Sequence, residues 1–185
     1  MAQRKSFENM VCPIARSLER VGEWWSMLIL RDAYYGMTRF DEFQKSLGIA
    51  SNMLARRLGA LVEAGLMERR RYSEKPPRHH YVLTDCGRDF RPVLLLMMDW
   101  GNRYFAGEGK AIYLADEQTG QAIEPVLTDA ASGERISGMR HVIVAGPAAD
   151  DRIRARVAFG RQHRQRESRT LLQQTLSQQA LESNS

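Results

Sequence analysis

The chain has 185 residues, of which 43% are hydrophobic, 26% charged and 8% aromatic. That balance excludes a wholly disordered protein and supplies enough apolar material for one substantial core. No apolar stretch approaches the ~20 residues a membrane span requires, and residues 1–10 are polar, so a soluble chain residing in the cytoplasm is expected. Two cysteines and four histidines are too few for a disulfide scaffold or a four-ligand zinc site, so neither a structural metal nor a cofactor is expected.

The formal net charge is +5 and its excess lies entirely in residues 1–106, which hold 17 Lys/Arg against 12 Asp/Glu. Residues 107–151 hold 3 basic and 8 acidic residues, whereas 152–169 hold seven Arg and one Glu. Sign blocks of this kind predict three segments: 1–106 as the main domain, 107–151 as a small β-hairpin extension, and 152–185 as an Arg-rich helix with a frayed end.

In chain order, Pro13 opens a short helix with Ile14, Leu18 and Val21 at helical spacing, and Gly22 stops it. Residues 24–35, apolar nearly all round, predict a central helix covered on most sides. Thr38 is placed to cap a helix bearing Phe40, Phe43 and Leu47, broken at Gly48; Ser51 then caps a second with Leu54, Leu58, Leu61 and Val62 along one side. From Leu66 the period changes. Residues 66–72 and 80–83 read as strands around the basic, proline-stiffened loop 73–79. Thr84 and Asp85 lead into a helix over 89–105, with more apolar surface than one face of a small domain needs, which predicts packing on another subunit. Beyond Gly107, short segments at 111–115, 123–127 and 140–145 alternate with two similar turns, at Asp116 and Asp129, 13 residues apart.

Helix, turn, second helix and basic hairpin, in that order, form a winged helix-turn-helix: a mainly α fold with a small β wing. Such a module sets its second helix in the major groove of double-stranded DNA. With the leucines inward, the opposite face of that helix shows Asn52, Met53, Arg56, Gly59 and Ala60, with Arg57 on the flank. Arg56 and Asn52 suit base edges, since Arg forks onto guanine and Asn onto adenine. Ser51 and Arg57 suit phosphate, as do Arg39, Lys45, Arg69, Arg70, Arg71 and Lys75, while Arg78 is placed to probe the minor groove. No nucleophile elbow, phosphate-binding glycine loop or zinc-protease helix is present, so no catalytic residue is assigned and an enzyme is not expected.

The stretches Cys12-Pro13, Gly22-Glu23-Trp24-Trp25, Leu28-Ile29-Leu30-Arg31-Asp32, Arg39-Phe40-Asp41-Glu42-Phe43, Leu47-Gly48-Ile49-Ala50, Leu54-Ala55-Arg56-Arg57-Leu58, Glu63-Ala64-Gly65-Leu66, Pro76-Pro77-Arg78, Tyr81-Val82-Leu83-Thr84 and Trp100-Gly101 occur in one order. Over roughly residues 10–105 the chain resembles the HxlR family of bacterial winged-helix transcriptional regulators. The resemblance implies a homodimer held by the first and last helices of the domain, with residues 51–64 of each copy in one half of an inverted repeat. Ala55 stands where the family usually has Thr, and Trp25 follows the usual tryptophan. The paired turns beyond residue 107 look like a zinc-ribbon-like tail without its cysteines, hence metal-free.

Two switches are consistent with the residues. Cys12 precedes a helix start with Arg16 one turn on, a setting that favours thiolate, and the resemblance implies a sensing role at this position. Trp24, Trp25, Tyr34, Tyr35, Trp100 and Tyr104 could instead bind a small aromatic effector or serve as dimer contacts. The expected function is a sequence-specific repressor of a pseudo-palindromic operator, released by an oxidant, an electrophile or such an effector. The alternative is a protein- or RNA-binding adaptor that retains the winged-helix fold.

Overall fold

The computed structural model describes residues 6–137 and 140–182. The chain divides into two compact units. One is Ser17–Ile136 with the stretch ending at Phe7; the other is Glu8–Arg16 with Ser137–Ser185. These limits differ from the three charge blocks: residues 107–136 belong with the winged helix, and the start of the first helix belongs with the C-terminal one.

In the first unit the helices are α1 (Pro13–Val21, shared with the second unit), α2 (Trp24–Tyr34), α3 (Phe40–Leu47) and α4 (Ser51–Glu63). The hairpin β1 (Met67–Ser73) and β2 (Arg78–Leu83) follows, then α5 (Asp85–Asp89) and α6 (Arg91–Tyr104). Ile29 and Leu30 of α2, Phe43 of α3 and Leu54, Leu58 and Leu61 of α4 are fully buried in one cluster that Val21, Ile49, Leu66 and Met67 complete. The hub role of α2 is seen: it packs against α3, α4, α6 and β2. It is covered on most sides: within α2 Trp24 alone is open, 86% exposed, and the other residues are buried or half-buried. Asp32 is buried within this helix, its Oδ1 held by the Arg31 Nε at 2.8 Å while Oδ2 has no hydrogen-bond partner among the described residues.

Two helix starts differ from the expected ones. Arg39, not Thr38, is the N-cap of α3, and the Glu42 carboxylate turns back to accept from the backbone N–H of both Thr38 and Arg39 at 2.9 Å. Those two amides, Thr38 first, hold the Glu42 carboxyl below the usual range. Ala50, not Ser51, is the N-cap of α4; Ser51 Oγ instead accepts from Gln44 Nε2 at 2.6 Å, tying the two helices across the turn. Gly48 makes that turn at φ +61°, a left-handed conformation costly to any residue with a Cβ.

The hairpin is antiparallel, Met67 opposite Leu83 and Arg71 opposite His79, with a register shift between Arg71 and Ser73. Residues 38 and 39 add a fragment of third strand: Arg39 bridges to His80, and the Tyr81 N–H donates to the Thr38 carbonyl at 2.6 Å. The helix expected over 89–105 is broken at Phe90 because Pro92 has no N–H and its ring excludes the carbonyl four residues back. Tyr34 fills the gap, donating its hydroxyl to the Gly87 carbonyl. Thr84 caps α5, accepting from the Gly87 N–H at 3.1 Å.

In residues 107–136 the expected strands reduce to two single bridges, Ala115 with Ala122 and Thr128 with Arg135. Each closes a turn of the same construction. Asp116 accepts from Thr119 N and Oγ1 (2.8 and 2.9 Å), and Asp129 from Ser132 N and Oγ (3.2 and 2.7 Å). Each carboxylate lies below its usual range, Asp116 through the Thr119 amide first and Asp129 through the Ser132 hydroxyl first. These side-chain bonds add to backbone ones, in which Gly120 N–H donates to the Asp116 carbonyl at 2.9 Å and Gly133 N–H to the Asp129 carbonyl at 2.8 Å.

In the second unit α7 spans Asp151–Glu182, about 48 Å at 1.5 Å per residue. Residues 173–185, the end expected to fray, have a helical backbone through Glu182, with Gln, Leu and Ala favouring helix and no Gly or Pro after Gly160. Residues 183–185 lie outside the described residues. The short segment expected over 140–145 is not a strand among the described residues.

Gly87 fixes how closely α5 approaches the strand entry. A Cβ there would sit 2.1 Å from the Leu66 carbonyl oxygen, whereas one at Gly59 in α4 meets nothing within 4 Å. Gly87→Ala is expected to lower unfolding free energy by about 2 kcal/mol or more, and Gly59→Ala to raise it by up to about 1 kcal/mol, in urea titrations of the two variants.

Candidate nucleic-acid interface

Burial of three leucines fixes the orientation of α4. With Leu54, Leu58 and Leu61 inward, Ser51, Asn52, Ala55 and Arg56 are exposed, and Met53, Gly59 and Ala60 are half-buried beside them. Ala55 adds no bulk to this face. The Arg56 guanidinium leans back on Met53, its Nη2 3.2 Å from Sδ, and Asn52 Oδ1 accepts the Met53 N–H at 2.7 Å. The exposed face of α4 carries one cation and one amide, and its acid, Glu63, sits at the far end.

The wing adds charge. Arg69, Arg70, Arg71, Lys75 and Arg78 are all exposed. Arg70 pairs with Glu68, and Arg71 pairs with Glu74 at 3.1 Å, so these two are partly neutralised within the hairpin. Neither Lys75 nor Arg78 forms an ion pair among the described residues. Arg39 links the wing to α3: its Cζ lies 5.9 Å from the Tyr72 ring centroid, its Nη2 3.0 Å from Asp41 Oδ2, and its buried Nε has no hydrogen-bond partner among the described residues. Tyr72 packs on His80 at 4.4 Å between centroids, and His80 Nδ1 lies 2.9 Å from Thr38 Oγ1. His80 therefore holds the wing against the start of α3.

Arg57 corrects the sequence reading. Its side chain is only 13% exposed, and Nη2 pairs with Glu23 Oε2 at 2.8 Å. It turns inward because Glu23, the N-cap residue of α2, supplies a carboxylate beside α4. Arg57 is thus a tie between two helices, and no phosphate contact is assigned to it. The partner roles of Glu23, Glu42 and Gln44 were not foreseen, and Thr38, expected as a helix cap, meets His80 instead. Only Glu42 left a trace in the sequence, as an acid three residues into a helix.

The six aromatic residues that could bind an effector or serve as dimer contacts do not line one site. Trp25 packs against the core, and Tyr34 and Tyr35 stand at the end of α2. Trp100 and Tyr104 lie on α6, where Val93, Met97, Trp100 and Tyr104 form one exposed stripe at helical spacing. Trp100 contacts Tyr104 and Phe105, at 6.2 and 4.9 Å between centroids.

In the second unit Cys12 is half-buried ahead of α1. Its thiol is held below the ordinary value, first by the backbone N–H of Ala15, then by the Ile14 amide and the Arg156 guanidinium, against an opposing desolvation.

This arrangement has counterparts. The sequence profile described as HxlR-like helix-turn-helix matches residues 20–108. Rv3095 of Mycobacterium tuberculosis, called an uncharacterized HTH-type transcriptional regulator, is 40% identical over 135 residues, 72% of this chain and 85% of its own length. The chain belongs to the HxlR family. Two solved structures extend the likeness beyond the winged helix. PA1374 of Pseudomonas aeruginosa, described as a transcription-factor candidate, is 51% identical with a TM-score of 0.59, over 78% of this chain and 99% of its own. PA1607, described likewise, is 39% identical with a TM-score of 0.68, over 77% and 100%.

Within the HxlR family the module is that of a transcriptional regulator with a helix-turn-helix DNA-binding fold. Among the described residues no helix is long and apolar enough to cross a membrane. In this HxlR chain the Arg57–Glu23 pair anchors α4, the second helix of the helix-turn-helix. A double-mutant cycle with Arg57→Gln and Glu23→Gln is expected to give a coupling energy of about 1 kcal/mol in unfolding experiments, against nearly zero for the exposed Arg71–Glu74 pair.

Proposed function

We propose that this protein is a cytoplasmic homodimeric repressor that binds a pseudo-palindromic operator, with α4 of each copy in a major groove. The observation that carries this reading is the exposed face of α4, where Arg56 and Asn52 stand above a fully buried leucine row, next to a basic wing. Arg56 and Asn52 read base edges. Met53 flanks them, and Ser51, Arg39, Lys45, Arg69, Arg70, Arg71, Lys75 and Arg78 face phosphate or the minor groove. The dimer forms through α1 and α6. Exposed Ile14 and Leu18 on α1 and the stripe on α6 supply the apolar surface such an interface needs.

Release follows a chemical signal, through a small aromatic effector or at Cys12. For Cys12, the thiolate sulfur attacks one oxygen of hydrogen peroxide, the O–O bond breaks, hydroxide leaves, and a sulfenic acid remains. The lowered thiol and the nearby Arg156 support thiolate character.

The test is a fluorescence anisotropy titration of DNA from upstream of the protein's own gene against a scrambled duplex, at near-physiological salt and under reducing conditions. The expected preference is ~10³-fold or more, with affinity falling as salt rises. Arg56→Ala should reduce the preference between sequences. Arg71→Ala should weaken both duplexes alike. Peroxide should release operator from the wild type and leave Cys12→Ser bound. Equal weak binding of both duplexes, and of selected genomic DNA, would contradict the reading.

A further inference from the structure

A cavity of about 400 Å³ lies between α2 and α6 within the first unit, apart from the DNA-facing side of α4. Its size falls at the lower end of the range for small-molecule sites, about 300–1,000 Å³. Met27 and Leu28 of α2 face Leu94 and Met98 of α6 across it. Thioether walls adapt to flat rings and make favourable contacts with them. At the rim stand two cations in different states. Arg31 is compensated by the buried Asp32 carboxylate at 2.7 Å. Arg91 is exposed and forms no ion pair among the described residues. The Tyr35 hydroxyl likewise has no hydrogen-bond partner among them. Tyr34 is committed elsewhere: its hydroxyl, which burial keeps protonated above its usual range, donates to Gly87.

We propose that this cavity binds a small aromatic monoanion, its ring between the methionine and leucine walls and its carboxylate on Arg91. One uncompensated guanidinium matches one negative charge, and a charge-assisted hydrogen bond at a largely apolar site discriminates against a neutral analogue. Tyr35 offers a second donor at the same rim. Because α2 and α6 both line the cavity beside their mutual contact, an occupant alters the packing of the helix that carries the exposed apolar stripe. That regulatory consequence rests on the proposed dimeric repressor; binding of the anion does not.

The probe is 2-naphthoate, titrated by isothermal calorimetry into full-length protein without DNA, with 2-naphthamide as the neutral isostere. Binding of one naphthoate per chain, at least roughly 10-fold tighter than the amide, is expected. Arg91→Ala should reduce that ratio to near unity while the amide's affinity stays within about twofold. Leu94→Trp, which fills the cavity, should abolish both. Circular dichroism and the DNA titration report separately whether each variant is folded and able to bind DNA. Equal affinities for acid and amide, a ratio unchanged in Arg91→Ala, or no binding up to about 1 mM would each overturn the proposal. The last, in a protein that sediments as a dimer, would assign the cavity to contact with a second copy.

Discussion

Everything this protein presents to its surroundings depends on the burial of one row of leucines. Leu54, Leu58 and Leu61 are fully buried with Ile29, Leu30 and Phe43, so α4 has a single rotational setting. Removing any of them would leave a cavity in a closely packed cluster, at a cost of about 2–5 kcal/mol. The exposed placement of Asn52 and Arg56 is the geometric consequence, since residues two positions from the leucines lie on the far side of a helix with 3.6 residues per turn. A core constraint and a surface function are thus the same fact seen from two sides.

Polar contacts refine what the leucines set. Gln44 to Ser51 fixes the angle at the turn, Arg57 to Glu23 secures the flank of α4, and Glu42 closes the start of α3 with two backbone amides. Because the Glu42 carboxyl is depressed below its unfolded value, its contribution is complete above the ordinary carboxylate range and is lost as pH falls through the depressed value. The wing is attached less by its own ladder than by residues 38 and 39, where a bridge, a backbone bond and the Thr38 to His80 contact meet. This leaves its basic loop free to project beside α4.

The sequence was most legible where periodicity ruled. The helical spacing of Leu54, Leu58 and Leu61, the switch to a strand pattern after Leu66, and the glycines at 36, 48 and 65 all appear where sequence reasoning put them. It was least legible where a residue answered to a partner distant in the chain. Arg57 looks like any exposed arginine until Glu23, 34 positions earlier, is brought beside it. Likewise Pro92 signals a helix start only once Tyr34 is seen donating to the Gly87 carbonyl. In the appendage, alternating segments suggested strands, and the backbone pairs there only around the two turns, as single bridges reinforced by carboxylate and hydroxyl side chains. Composition gives the number of the aromatic residues and not their direction. Two stand at the end of α2, two on the open face of α6, and only Tyr34 and Tyr35 reach the cavity between those helices.

The most direct test of the account is methylation interference on a bound operator, which reports contact with guanine N7 in the major groove separately from adenine N3 in the minor groove. Insertion of α4 predicts interference at guanines in two symmetric patches about one helical turn apart, with the interfering guanine under Arg56 dropping out when that residue is replaced by alanine. Interference confined to the minor groove, or an unchanged guanine pattern in the Arg56→Ala variant, would contradict it.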